Sequence, residues 1–199
     1  ATYSDSRLER TMIDIRHSPL HPQPQLAIVC GASPEREYLW ARCQAHMGVE
    51  LFGFPIEFAT GFLTDEEWNE PKCKNAAARA CKSPVLLFTN CDIIIPPACV
   101  QLILSLNSAE KWMAICHRMD EQPDGSWVEN EHAIGDCQAT PRHVWEASGG
   151  FDERMTKWGT IDYSYMERCK KAGAEVFATK RDRVLHRWHP RLTDEEYRA

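Results

Sequence analysis

No stretch of this 199-residue chain approaches the roughly 20 consecutive apolar residues of a membrane-spanning helix, so no membrane segment is expected. The opening residues, ATYSDSRLER, lack the apolar core of a signal peptide. The nine cysteines include no CxxC pair. They are odd in number and scattered through apolar segments, which fits reduced thiols in a cytoplasmic protein better than a disulfide framework. Neither a GxGxxG fingerprint nor a P-loop is present, and there are no internal repeats or low-complexity tracts. What is left is the composition of a soluble globular protein, long enough for one substantial core.

The net charge of −6 conceals an asymmetry, with +4 over residues 142–191 and −8 over residues 1–141. A basic C-terminal third suits an anionic ligand, though not by itself a long polyanion.

Residues 1–24 carry Pro19, Pro22 and Pro24 and read as an extended arm. A single α/β domain is expected over 25–199. A strand at 25–30 (QLAIVC) is followed by a glycine turn at Gly31 and a helix opened by Pro34, the start of a nucleotide-binding unit that makes Gly31 a candidate for close approach to a ligand. A second strand is expected at 49–54, an irregular aromatic stretch to 63, and a helix start with a capping-box pattern at 64–67. Helices are expected over 71–81, 97–107, 141–147 and 160–172. Strands are expected over 85–89, 112–118, 127–129, 133–139, 175–178 and 183–186, with a turn at 120–126. Strands alternating with helices imply an α/β sandwich with a mostly parallel sheet.

The stretch 85–96, VLLFTNCDIIIP, is the centre of this pattern. Its apolar run fits a strand buried on both faces, and Asn90 and Asp92 follow at its carboxyl end. Two short polar side chains there either turn the chain or, at the edge where open α/β sheets bind ligands, hold a hard cation. Asp152 and Asp162 lie in GGFDERMTKWGTID, residues 149–162. Both are helix-start acids in one reading. In another, Trp158 is a flat apolar wall suited to a ring and Asp162 a base for a hydroxyl. LHRWH, residues 185–189, spaces His186 and His189 as surface residues or as metal ligands; oxygen plus imidazole suits Mn²⁺ better than Ca²⁺. KCKNAAAR, residues 72–79, is a solvated helix face, or else offers Lys74 and Arg79 to phosphate and Asn75 to a base or ribose.

Taken in order, these four segments resemble the GT-A nucleotide-sugar glycosyltransferases, with the galactosyltransferase and polypeptide N-acetylgalactosaminyltransferase motif group nearest in flavour. The resemblance runs from about residue 26 to 189 and rests on KNAAARACKSPVLLFTNCD, GGFDERMTKWGTID and LHRWH. It implies a GT-A (Rossmann-like) α/β/α sandwich and hexosyl transfer from a nucleotide-sugar, a UDP-sugar foremost. Asp92 then matches the metal-binding acid of a DxD motif, and His189 and His186 match its further ligands. The metal implied is Mn²⁺, with Mg²⁺ the alternative. Asp162 matches the catalytic base, which implies inversion, and Trp158 the aromatic beside the sugar. Asn75, Arg79, Asn90 and Gly31 fall on the nucleotide side, and Arg187, with Arg183 and Lys180, near the leaving diphosphate. Asn90 stands where the first acid usually sits, Ile161 replaces the usual Glu, and no Asp closes the second strand. The acceptor implied is a saccharide, a protein or a hydroxymethylated nucleic-acid base. A non-catalytic nucleotide-binding module and a metal-dependent phosphoester hydrolase are the alternatives.

Overall fold

The structure is a computed structural model and describes residues 11–17, 23–33, 36–51, 53–63, 68–130, 137–155 and 160–189. In chain order the elements are β1 (Thr11–His17), β2 (Leu26–Gly31), α1 (Glu37–Leu51), β3 (Ile56–Leu63), α2 (Glu70–Ala80), β4 (Val85–Thr89), β5 (Ile93–Ile94), α3 (Pro97–Ser105), β6 (Trp112–Glu121), β7 (Trp127–Asn130), β8 (Cys137–Pro141), α4 (Arg142–Ser148), α5 (Ile161–Lys171) and β9 (Glu175–His186).

Alternation along β2 and β4 builds three layers. Leu26, Ile28, Val85 and Leu87 face one core with Trp40 and Met47 of α1 and Val100 and Ile103 of α3. Ala27, Val29, Leu86 and Phe88 face the other, with Ala77 of α2, Trp145 of α4 and Tyr165 of α5. A sheet buried on both faces favours a continuous apolar run in its central strands, as Val85 to Phe88 shows before Thr89.

The strands form one sheet in the order β1-β3-β2-β4-β8-β6-β9-β5, with β7 paired to β6. Pairing is parallel for β3-β2-β4 and for β6-β9, and antiparallel elsewhere. The sheet is therefore mixed where a mostly parallel one was expected, because β8 runs antiparallel between β4 and β6.

This order positions the site. β4 and β5 are separated by residues 90–92 alone, yet β5 lies four strands along, against β9. Four strand spacings laid flat are about 19 Å, whereas four Cα steps reach at most about 15 Å. The sheet must curl, and loop 90–92 crosses the gap. Its backbone is fixed by Ile93 N donating to Asn90 O (3.3 Å) and Arg187 N donating to Asp92 O (2.9 Å).

Several sequence expectations change. Among the described residues of 49–54 there is no strand; α1 continues to Leu51, and the strand is β3, over the stretch expected to be irregular. Within β3, Gly61 is required by packing: a Cβ there would collide with the Cys73 carbonyl group of α2. Part of the expected arm is β1, which pairs antiparallel with residues 57–63 of β3. Residues 175–186 are one strand instead of two, and 120–121 belong to β6 and not to a turn. The capping box at 64–67, Pro34, and residues 133–136 of an expected strand lie outside the described residues.

Candidate metal centre and active site

Loop 90–92 presents two polar side chains to two different groups of partners. Asp92 is 5% exposed. Its Oδ2 lies 3.0 Å from His189 Nε2 and 3.5 Å from His186 Nε2. His186 arrives because β5 pairs with the end of β9 in the register Ile93↔His186, which sets the residue after it opposite Asp92. Residues 187–189 are then pinned by Glu121 of β6, whose Oε2 accepts from Trp188 N (3.0 Å) and pairs with Arg187 Nε (3.2 Å). One ligand atom each from Asp92, His186 and His189 falls within 4.8 Å of the others.

The donor set fits a divalent cation. Asp92 Oδ1 is buried without a hydrogen-bond donor among the described residues, a free carboxylate oxygen beside two imidazole nitrogens. His186 Nδ1 lies 3.2 Å from Asp120 Oδ1 on β6. That contact fixes the ring and leaves Nε2 facing Asp92, the usual second partner of a metal-binding histidine. Asp120 is itself held by Arg118 Nε (2.7 Å) and Asn130 Nδ2 (2.9 Å). Burial alone would raise the Asp92 carboxyl, but hydrogen bonds from His186 and His189 outweigh it and hold the group well below the usual carboxylate range. Arg36, just before α1, places NH1 3.6 Å from Asp92 Oδ2 and adds a cationic neighbour.

Asn90 serves the other group. Its Oδ1 accepts from Lys74 Nζ at 3.0 Å. Lys74 is wholly buried and also meets Glu70 Oε1 at 2.5 Å and Asp162 Oδ1 at 3.8 Å. Burial alone would lower the Lys74 ammonium, yet Glu70 and Asp162 more than offset that and hold it above the ordinary lysine range. Asp162 sits in the first turn of α5, three-quarters buried, where the helix N-terminus favours a negative charge. Asp92 and Asp162 are thus tied to one loop through Asn90 and Lys74.

The remaining expected site residues are placed differently. Asn75 is bonded to the segment after α4: Nδ2 donates to Phe151 O (2.8 Å) and to Glu153 Oε1 (2.9 Å), and Oδ1 accepts from Phe151 N (3.0 Å). It clamps the 149–153 loop to α2, while Phe151 stacks on Tyr165 at 4.1 Å and meets Phe88 edge-on at 4.9 Å. Gly31 ends β2 against α2, where a Cβ would stand 3.0 Å from Cys73 Cβ. Arg79 is exposed and 3.4 Å from Glu153. Arg187 pairs with Glu121 and Arg183 with Glu129 (2.6 Å). Asp152 is held by Arg154, which agrees with a structural turn. Trp158 and the Lys180 side chain lie outside the described residues.

Reasoning from sequence missed Glu70, Asp120 and Glu121 and undervalued Lys74. Of the two readings of 72–79, the solvated face does not hold, because Pro71, Cys73, Lys74, Asn75 and Ala76–Ala78 are all buried. The small side chains around Lys74 were the available signal: a helix of Ala and Cys packs close to its neighbours and leaves a lysine no route to water.

The fold is that of the GT-A glycosyltransferase catalytic domains, an α/β sandwich around a curled mixed sheet. Among solved structures, the catalytic domain of Drosophila β1,4-galactosyltransferase 7 in complex with xylobiose is similar with a TM-score of 0.60 at 14% identity, over 82% of this chain and 70% of that one. A mutant of Drosophila β1,4-galactosyltransferase 7 in complex with manganese, UDP-Gal and xylobiose is similar with a TM-score of 0.60 at 12% identity and the same coverage. No protein-family profile and no curated protein sequence matches the chain.

Proposed function

We propose that the chain is a metal-dependent glycosyltransferase that moves a hexose from a nucleotide-sugar, a UDP-sugar foremost, to an acceptor hydroxyl with inversion. The observation that carries this reading is the convergence of Asp92, His186 and His189 at one point of a fold shared with a galactosyltransferase crystallised with manganese and UDP-Gal. Asp92 and the two histidines hold the divalent cation, Mn²⁺ in first place and Mg²⁺ in second. When bound, that ion supplies Lewis-acid stabilisation of the charge growing on the leaving diphosphate. Asp120 keeps the His186 ring oriented. Asp162 accepts the acceptor's proton while the acceptor oxygen bonds to the anomeric carbon and the bond from that carbon to the diphosphate oxygen breaks. A base on the face opposite the leaving group gives inversion in one displacement. Among the candidate acceptors, a saccharide is the first to test, because the similar structures carry xylobiose; protein and hydroxymethylated nucleic-acid bases follow. A reducing, cytoplasmic setting belongs to the same reading, supported by nine free and buried cysteines.

The test is nucleotide release from UDP- and GDP-sugars with and without Mn²⁺. Metal-dependent release lost in Asp92→Ala and in Asp162→Asn is the expected result. Nucleotide binding without release would make the chain a binding module. Release from simple phosphoesters with no sugar preference would make it a hydrolase. Proton NMR of the product anomer decides inversion.

A further inference from the structure

Lys74 is a fully buried lysine with oxygen partners from three elements. Glu70 is its i,i+4 neighbour on α2 and lies 2.5 Å away. Asn90 Oδ1, on the loop after β4, lies 3.0 Å away, and Asp162 Oδ1, in the first turn of α5, 3.8 Å away. The Phe151 ring centroid is 5.4 Å from the ammonium. Glu70 and Asn90 lie within hydrogen-bond distance of the ammonium, and Asp162 faces it as an ion-pair partner beyond that distance. The pair with Glu70 alone would neutralise the lysine. The other two partners come from separate elements, and each belongs to a segment of the proposed site. The third acceptor is the neutral amide of Asn90. A carboxylate there would set three acids around one cation, so Lys74 gives a physical reason for an amide at the position where the resemblance led to an acid.

We propose that Lys74 is a positioning residue for the transfer step, its ammonium holding the Asp162 carboxylate in register with the loop that carries Asp92. The inference rests on the glycosyltransferase reading. Lys74 is the crosslink through which the proposed base and the metal loop keep a fixed separation, and an apolar side chain of equal length removes that contact from the Asp162 carboxylate.

The test uses the full chain with Mn²⁺ and whichever UDP- or GDP-sugar gives the fastest wild-type turnover. Two variants are compared: Lys74→Met, and the charge-balanced pair Glu70→Gln with Lys74→Met, which guards against a fold lost to an unpaired buried acid. Both should lower kcat by about tenfold to a hundredfold, while the donor KM and the Mn²⁺ affinity stay within about threefold of wild type. On the Asp162→Asn background the same changes should cost less than about threefold, because the residue they act through is already disabled. Loss of a purely structural lysine would instead raise the donor KM and lower metal affinity and kcat together, and its effect would multiply with that of Asp162→Asn. Turnover in the wild type with kcat unchanged in the charge-balanced pair, or losses that multiply, overturns the inference alone. No turnover in the wild type overturns the glycosyltransferase reading and this inference with it.

Discussion

Replacing Asn75 by alanine separates two roles for one amide. Its side chain, 3% exposed, holds both backbone groups of Phe151, itself 2% exposed, at 2.8 and 3.0 Å. Alanine leaves that N–H and that C=O unpaired away from water. A buried polar group stripped of its partner costs about 1–3 kcal/mol, so the two together cost about 2–6 kcal/mol. The third bond, to Glu153 Oε1, adds little, because that carboxylate is 38% exposed and water can replace the amide. Against a typical total of about 5–15 kcal/mol, Asn75→Ala should remain folded but lose a large share of its stability. Urea denaturation followed by tryptophan fluorescence reads this as a lower midpoint with an unchanged m-value. The Mn²⁺ affinity should stay near wild type, since none of the three bonds reaches Asp92, His186 or His189. A stability loss under about 1 kcal/mol, with a donor KM raised tenfold or more, would refute the clamp and return Asn75 to the nucleoside contact expected from sequence.

Three further outcomes follow from the same contacts. Gly61→Ala should destabilise by at least about 1–3 kcal/mol in urea titration, because its Cβ meets α2 backbone, whereas Gly53→Ala, with nothing within 4 Å, should be close to neutral; equal effects at the two sites would contradict the close approach of β3 and α2. Asp120→Asn should weaken Mn²⁺ binding about tenfold to a hundredfold by calorimetry through loss of the His186 partner, and unchanged affinity would show that the His186 ring is oriented by something else. Burial pushes the Cys43 and Cys91 thiols up to about 12 and Cys81 to about 11. At pH 8 these three should therefore resist a thiol reagent in the native chain and react on unfolding, and rapid native labelling by mass spectrometry would contradict their burial.

How much of this was legible in the sequence depends on the range of the forces involved. The strand 85–89, the helix after Pro97 and the stop at Gly149, which adopts φ +75°, are written locally and were read correctly. β3 was not, because Glu57 and Gly61 break a strand pattern when seen alone. In the fold Glu57 accepts from Ser83 N (2.9 Å) and Gly61 admits α2, so both are explained by neighbours distant in sequence. β1 carried the alternation Ile13-Asp14-Ile15-Arg16, but the prolines that follow drew the segment into an arm. At the site, Asp92, His186 and His189 were singled out by residue type and order, and the structure brings them together. The acids that orient them were hidden in DEQPDGS, where Asp120 and Glu121 resemble turn residues until β9 is laid beside β6. Lys74 was hidden by a general truth, that lysines belong in water, which fails when its own helix and α5 each supply an acid.

The most direct test of the metal centre is a Mn²⁺ titration of the full chain in the presence of UDP, followed by electron paramagnetic resonance of the free ion. The account predicts one Mn²⁺ per chain in the wild type, with affinity lowered by at least about a hundredfold in Asp92→Ala and similarly in His189→Ala. Saturable binding that survives Asp92→Ala, or a wild-type chain that takes up no Mn²⁺, would contradict it.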